Sequence, residues 1–418
     1  TSSKNNFPSP DGLEYLDFQR AGIEFITSRR HTLLADEMGL GKTVMAIGAC
    51  NADVDCRKVL VICPSSLRLN WRNEFSRWLT KKMSVGIAGG SYPADADIVI
   101  VSYDGVKKHH KHLTSKDFDL LIVDEAHYLK NQKAQRTKHV LGFNPRRGAG
   151  SAVEPVKAAK KLFLTGTPIL NRPVELWPLI SSLAPDVFPS FFDFAQRYCA
   201  ATKNRFGWDF NGSSNSSELQ NKLRSSIMIR RLKRDVVDLP RKRRQIIELP
   251  ADGCSKELRA EAKAWAAQEA ILEELRAAVE VARVSDRRED YDAALSSLKR
   301  GSQIAFETLS LVRHQTAVAK APHVVSHVRG MVEEGHKVVV WAHHRDVISM
   351  MSEDLGEAGI GVVTLTGDAS MIERQAAVDR FQTDPSTRVF IGNIQAGGVG
   401  ITLTASSHVV FSELSWVP

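Results

Sequence analysis

Short, continuous apolar runs recur along the chain, separated by longer stretches with a helical apolar period. Val59–Cys63 and residues 98–101, 120–123 and 162–164 do not alternate with polar residues, so they read as strands covered on both faces. Strands alternating with helical patterns predict an α/β architecture with parallel sheets. The pattern restarts late in the chain with strands at 337–341, Gly361–Leu365, 388–392 and 409–411, which argues for a second lobe. Between the two sets, residues 257–298 are rich in Ala, Glu, Leu and Arg and almost free of Gly and Pro, which predicts long helices. Residues 143–155 break the pattern with Gly, Pro and Ser and read as an exposed loop. Residues 172–250 carry an aromatic cluster (Phe188, Phe191, Phe192, Phe194), then a polar stretch, then a basic segment.

Composition narrows the class. A chain of 418 residues with 43% hydrophobic content can bury two or more cores. No run of about eighteen apolar residues is present, so no membrane-spanning helix is expected. The start, Thr1-Ser2-Ser3-Lys4, has neither an initiator Met nor an apolar signal region and reads as a trimmed chain or a fragment. Five scattered cysteines without C-x-x-C spacing argue against disulfides and zinc, and for a reducing, intracellular compartment. The histidines at 109, 110 and 112 lie among Lys107, Lys108 and Lys111, whose charge would repel a metal; a solvated or phosphate-facing basic loop is expected there.

Charge is concentrated. Between Glu218 and Pro250 ten basic residues face four acidic ones, which accounts for most of the net charge of +8. Such a segment favours a polyanion through counterion release. Arg241–Arg244 alone also fits a solvated basic face or a nuclear-import signal.

The candidate chemistry begins at Asp36-Glu37-Met38-Gly39-Leu40-Gly41-Lys42-Thr43, between a short apolar run and an apolar helical pattern. Glycines at 39 and 41 permit a tight turn whose N–H groups face an anion, Lys42 reaches phosphates, and the Thr43 hydroxyl can ligate Mg²⁺. Asp36 stands where the usual phosphate-loop pattern has its first glycine. A second element lies at the end of the 120–123 strand, where Asp124-Glu125-Ala126-His127 puts two carboxylates at the strand edge that binds ligands in open α/β sheets. One carboxylate can hold the cation bridging the phosphates, and the other can activate water; Asp124 suits the first role and Glu125 the second.

These phrases, with Lys130-Asn131 and Leu164-Thr165-Gly166-Thr167-Pro168, resemble motifs I, II and III of the Snf2 family of superfamily 2 helicase-like ATPases. Phe18-Gln19 is similar to its Q motif, Cys63-Pro64-Ser65-Ser66-Leu67 with Trp71 to motif Ia, and the run from Ile394 to Thr404 to motif V. Ile227 to Lys233, Trp341-Ala342-His343-His344 and Phe411 to Trp416 most resemble the annealing-helicase, fork-remodelling branch.

The resemblance implies two RecA-like parallel-sheet lobes with ATP between them and Snf2-type helical insertions. Lobe 1 spans 1–250, with the insertion and basic brace from about 172; a helical protrusion spans 251–319; lobe 2 spans 320–418. ATP and Mg²⁺ are the implied cofactors, with Gln19 on adenine, and Asp36, Gly39, Gly41, Lys42 and Thr43 around the phosphates. Thr43 and Asp124 are the metal ligands, while Lys42, Asp124 and Glu125 form the catalytic set. Candidate DNA contacts are Ser65, Ser66, Arg68, Thr165, Arg230, Arg231, His343, Gly397, Gly398 and Thr402. Two alternatives stay open: Arg230 or Arg231 pairs with the nucleotide or braces the lobes, and His343 is a packing residue.

The implied activity is ATP-dependent translocation on double-stranded or forked DNA, with strand annealing or fork remodelling as its use. Remodelling of DNA-bound proteins, DNA defence, or an idle ATP-gated scaffold are the rivals. The chain stops before any Gln-x-x-x-Arg-x-x-Arg phrase, so lobe 2 is expected to lack motif VI and this chain to hydrolyse ATP weakly.

Overall fold

The continuous apolar runs do form strands, and all but one small hairpin pair in parallel. The computed structural model describes residues 5–145, 151–168, 172–204, 207–248, 255–284, 288–397 and 401–414. Two units, Thr1–Lys242 and Arg243–Pro418, each carry their own sheet. Outside the described residues lie 146–150 of the expected loop, Gly398 and Gly400 of the glycine cluster, and Ser415 and Trp416 of the final motif.

The first unit contains β1 (His31–Leu34), β2 (Val59–Cys63), β3 (Val85–Ile87), β4 (Ile98–Ser102), β5 (Phe118–Val123) and β6 (Ala158–Leu164). It also contains a hairpin of β7 (Thr202–Asn204) and β8 (Gly207–Asp209), and then β9 (Met228–Ile229). Seven strands form one parallel sheet in the order β3-β4-β2-β5-β6-β1-β9. Every residue of β2 and β4 is buried, because helices cover both faces of the sheet, and this is why their sequences are apolar without alternation. Most of the aromatic cluster joins this core, where Phe194 lies 5.4 Å from Trp177, ring to ring, and Phe188 packs edge-on against Phe194, while Phe192 is exposed and packs on Trp208.

The histidine-rich stretch is not a loop. It lies in the helix Tyr103–Thr114, whose N-cap Ser102 hydroxyl accepts the Gly105 N–H at 3.1 Å. Tyr103, Val106, His109 and Leu113 fall on one buried face, so helical packing overrides the basic composition. His109 bonds the Gly89 carbonyl at 3.1 Å, and His112 stacks on Tyr92 at 4.8 Å. The loop expected at 143–155 is closed at its base by two 2.8 Å hydrogen bonds between Phe143 and Val153.

In the second unit, β10 (Val338–Ala342), β11 (Gly361–Leu365), β12 (Thr387–Asn393) and β13 (His408–Phe411) form a parallel sheet in the order β11-β12-β10-β13. The long helices expected from composition are Ser255–Val284 and Arg288–Glu333, which pack together in this unit. The expected start of lobe 2 at 320 falls inside the second of them. Ala317, Ala321, Val324, Val325 and Val328 form a buried face against this unit's core, and that packing carries the helix through Pro322.

Candidate functional site

Parallel pairing brings the carboxyl ends of β5, β6 and β1 side by side on one edge of the first sheet. The phosphate-loop phrase leaves β1, the two carboxylates leave β5, and Thr165 leaves β6. Three segments distant in sequence therefore meet.

The loop has the backbone its glycines anticipate, with φ of +80° at Gly39 and +75° at Gly41. Gly41 caps the helix Lys42–Ala52 in the left-handed conformation. A β-carbon there would also lie 2.5 Å from Gln19 Nε2. Gln19 serves its own helix as well: its Oε1 accepts the Leu16 N–H at 3.0 Å in a capping arrangement. Lys42 folds back over the loop, donating to the Asp36 carbonyl at 2.9 Å and the Glu37 carbonyl at 3.4 Å. Burial lowers the Lys42 pKa, while Glu125, Asp124 and Asp36 act in the opposite direction.

Asp124 is buried, and its Oδ2 accepts the Trp71 indole N–H at 2.8 Å while Oδ1 accepts the Glu125 N–H at 2.9 Å. Burial raises its pKa to about 6 against those two hydrogen bonds, with the neighbouring Glu125 adding to the rise. Glu125 sits in the left-handed region at φ 51° and ψ 51°, costly for a non-glycine residue. The Tyr103 hydroxyl holds the strained turn, 2.6 Å from the Asp124 carbonyl and 3.2 Å from that of Glu125. The turn aims a carboxylate whose buried Oε2 has no hydrogen-bond partner among the described residues. His127 Nδ1 stands 3.2 Å from that oxygen, within ion-pair reach but without hydrogen-bond alignment.

These features fit a nucleoside phosphate with a divalent cation. The glycines give the loop the positive-φ turn that lets backbone N–H groups meet an anion, Lys42 supplies charge, Asp124 and the half-buried Thr43 offer oxygen ligands, and Glu125 keeps an oxygen without a hydrogen bond among the described residues.

Several expected contacts are placed elsewhere. Asp36 is fully buried and faces Arg231 rather than phosphate: Arg231 Nε lies 3.1 Å from both Asp36 oxygens, its Nη2 also pairs with Oδ2, and its backbone N–H reaches Oδ1 at 2.9 Å. Arg231 Nη1 donates to the Phe18 carbonyl, so this guanidinium is unavailable to DNA. Arg230 is half-buried, donating to the Ala35 carbonyl at 2.9 Å and the Gly166 carbonyl at 3.2 Å, and thereby ties β6's exit to the phosphate loop. Thr165 is buried; its hydroxyl accepts the Thr167 N–H at 3.2 Å and lies 3.5 Å from His127 Nδ1.

Ser65 and Ser66 lie on the 3₁₀ turn after β2, with Ser65 exposed, and Arg68 donates to the Ala88 carbonyl at 3.0 Å. In the second unit, Thr402 is exposed, whereas the space beside Gly397 is filled by Trp341: a β-carbon on Gly397 would stand 2.0 Å from that ring. The missing side chain of that glycine gives room to the ring. His343 is half-buried, its Nδ1 has no hydrogen-bond partner among the described residues, and burial lowers its pKa. Glu413, assigned no role from sequence, accepts the backbone N–H groups of His343 and His344 at 2.8 and 3.0 Å, and pairs with His344 Nδ1 at 2.5 Å. Among the described residues no cluster of His, Cys, Asp and Glu could hold a metal by itself, and no helix is long and apolar enough to cross a membrane.

A model of the SNF2-related domain matches residues 18–305, and one of the helicase conserved C-terminal domain matches residues 319–418. The chain is 35% identical over 417 residues to the Xenopus tropicalis SWI/SNF-related matrix-associated actin-dependent regulator of chromatin subfamily A-like protein 1, covering 97% of this chain and 40% of that protein. It is likewise 35% identical to the human DNA annealing helicase and endonuclease ZRANB3, covering 98% of this chain and 36% of that protein. The chain thus spans about two fifths of the length of these relatives. A Sulfolobus solfataricus SWI2/SNF2 ATPase core in complex with dsDNA is similar at 20% identity and a TM-score of 0.47, over 96% of this chain and 82% of that one.

Proposed function

Because the chain belongs to the SNF2-related family of helicase-like ATPases, we propose that it is the motor of an ATP-dependent translocase on double-stranded DNA, used to anneal strands or remodel replication forks. The observation that carries this reading is the convergence of Lys42 with Asp124 and a strained, unsatisfied Glu125 at one sheet edge. The relatives named for chromatin and for annealing support the DNA substrate and a place on DNA, in a nucleus or a nucleoid.

In this mechanism Lys42 leaves its loop carbonyls for the phosphates, and Gln19 lies behind Gly41 to meet the base. Thr43 and Asp124 are the residues to hold Mg²⁺, which supplies charge neutralisation for the phosphoryl oxygens. Glu125 accepts the proton of the attacking water at Oε2, the oxygen left without a donor. His127 lies between that carboxylate and Thr165, so the turn after β6 feels the state of Glu125. Ser65, Ser66, Arg68 and Thr402 remain the candidate DNA-phosphate contacts.

The test is steady-state phosphate release with duplex, single-stranded and forked DNA, using this chain and one extended at its C-terminus. Stimulation by duplex or forked DNA is expected from the extended chain, and weak turnover from residues 1–418. An absence of DNA-stimulated release from both chains would point to an ATP-gated scaffold.

A further inference from the structure

One cation beside the phosphate loop is left unused by this mechanism. Residues 227–233 are stitched to the loop: Leu33 N–H donates to the Ile227 carbonyl at 2.9 Å, Ala35 N–H to that of Ile229 at 2.8 Å, and Glu37 N–H to that of Arg231 at 3.0 Å. The Asp36–Arg231 pair clamps the same register from below the surface. Glu37 completes the attachment by accepting the Lys233 backbone N–H at 2.7 Å through Oε2.

The attachment lays the Lys233 side chain over the loop. A β-carbon on Gly39 would lie 3.1 Å from Lys233 Nζ and 3.2 Å from its Cε. Lys233 is half-buried, and among the described residues its ammonium has neither a carboxylate nor a hydrogen-bond acceptor. The loop's two acidic side chains are occupied, Asp36 by Arg231 and Glu37 by the Lys233 backbone, and Asp235, close by in the chain, faces Arg234 at 3.5 Å. An unpaired ammonium held against a glycine-lined anion cradle lacks only the anion.

We propose that Lys233 is a second lysine of the phosphate cradle, its ammonium binding a phosphate oxygen of the nucleotide from over Gly39 while Lys42 binds from the helix. Gly39 is then required twice, for its positive φ and for the room its missing side chain gives Lys233. The inference rests on the reading of this loop as the nucleotide site and adds a ligand to it.

The experiment is equilibrium binding of Mg²⁺ with a non-hydrolysable ATP analogue to the 418-residue chain and to Lys233→Met, Lys233→Gln and Lys233→Arg, with Lys42→Ala in parallel. Duplex DNA affinity is measured at several salt concentrations, and urea midpoints confirm folding. Lys233→Met and Lys233→Gln are expected to weaken the analogue about tenfold, the scale of one charge-assisted hydrogen bond, and Lys233→Arg to restore most of it. DNA affinity and its salt slope should stay unchanged. Unaltered analogue binding in folded Met and Gln variants, while Lys42→Ala loses binding, overturns the role of Lys233 alone. Lower DNA affinity with a shallower salt slope would reassign the lysine to a DNA phosphate. Failure of the unmodified chain to bind the analogue would remove the nucleotide site and this proposal with it.

Discussion

Arg231 and Asp36 form an ion pair inside the first unit, with side chains 5% and 0% exposed, 195 residues apart in sequence. Both were candidates for contact with phosphates. Instead the pair fixes β9 beside β1 and so sets the shape of the phosphate loop. Removing one partner leaves the other as a buried, unpaired charge, which costs about 3–5 kcal/mol. Arg231→Met should therefore lower the urea midpoint of the first unit sharply. Asp36→Gly, which installs the glycine of the usual phosphate-loop pattern, should also destabilise and should not tighten nucleotide binding. A wild-type urea midpoint for Arg231→Met would show the pair to be dispensable.

Glu125→Gln keeps the shape of the turn and removes the base. Nucleotide binding should persist, while DNA-stimulated phosphate release falls roughly 10²-fold or more. Turnover at the unmodified rate, measured on a chain that is competent in hydrolysis, would take the water-activating role away from Glu125.

His31 gives a pH dependence whose sign is fixed by its surroundings. Its Nδ1 accepts the Lys161 N–H at 3.1 Å, and burial, with the charges of Lys161 and Arg30, lowers its pKa to about 4. The unfolded chain protonates this residue near its ordinary value of 6.5, and the folded chain only near 4. The unfolded state thus binds more protons in that window, and stability falls as pH drops from about 6.5 to about 4. With the ring half-exposed, the solvent-screened effect is on the order of 1–2 kcal/mol. Urea midpoints between pH 7.5 and 4.5 should show it, and His31→Gln should flatten that part of the profile. An equally steep fall in the variant would place the titration elsewhere.

The parallel strands were legible because a strand buried on both faces has to be continuously apolar, as Val59–Cys63 and residues 120–123 are. Lys42, Asp124 and Glu125 were legible because their spacing from those strands fixes where they emerge. The partners of the charged groups were not. Whether an arginine in the run 230–234 faces solvent or the interior depends on a two-residue strand, β9, whose only signal is its pairing with β1. Trp71 on Asp124, Tyr103 beneath the Glu125 turn and Glu413 under the histidines are likewise contacts across the fold, invisible to periodicity.

Gly397 shows the same ambiguity, since a glycine required by close approach looks alike whichever group approaches. Here that group is the Trp341 ring, 2.0 Å from where a β-carbon on Gly397 would stand and 2.2 Å from one on Gly392. If packing is the reason for both glycines, Gly397→Ala overfills the space and costs about 1–3 kcal/mol in the second unit, as extra methyl groups in filled cores do. Shrinking the ring should then relieve the clash, so Gly397→Ala should cost less in a Trp341→Leu background than in the unmodified chain. Were the glycine required for DNA backbone approach, Gly397→Ala would instead weaken DNA binding equally in both backgrounds. A double-mutant cycle of urea midpoints, read beside DNA affinities, separates the two, and a coupling energy near zero would remove Trp341 as the cause.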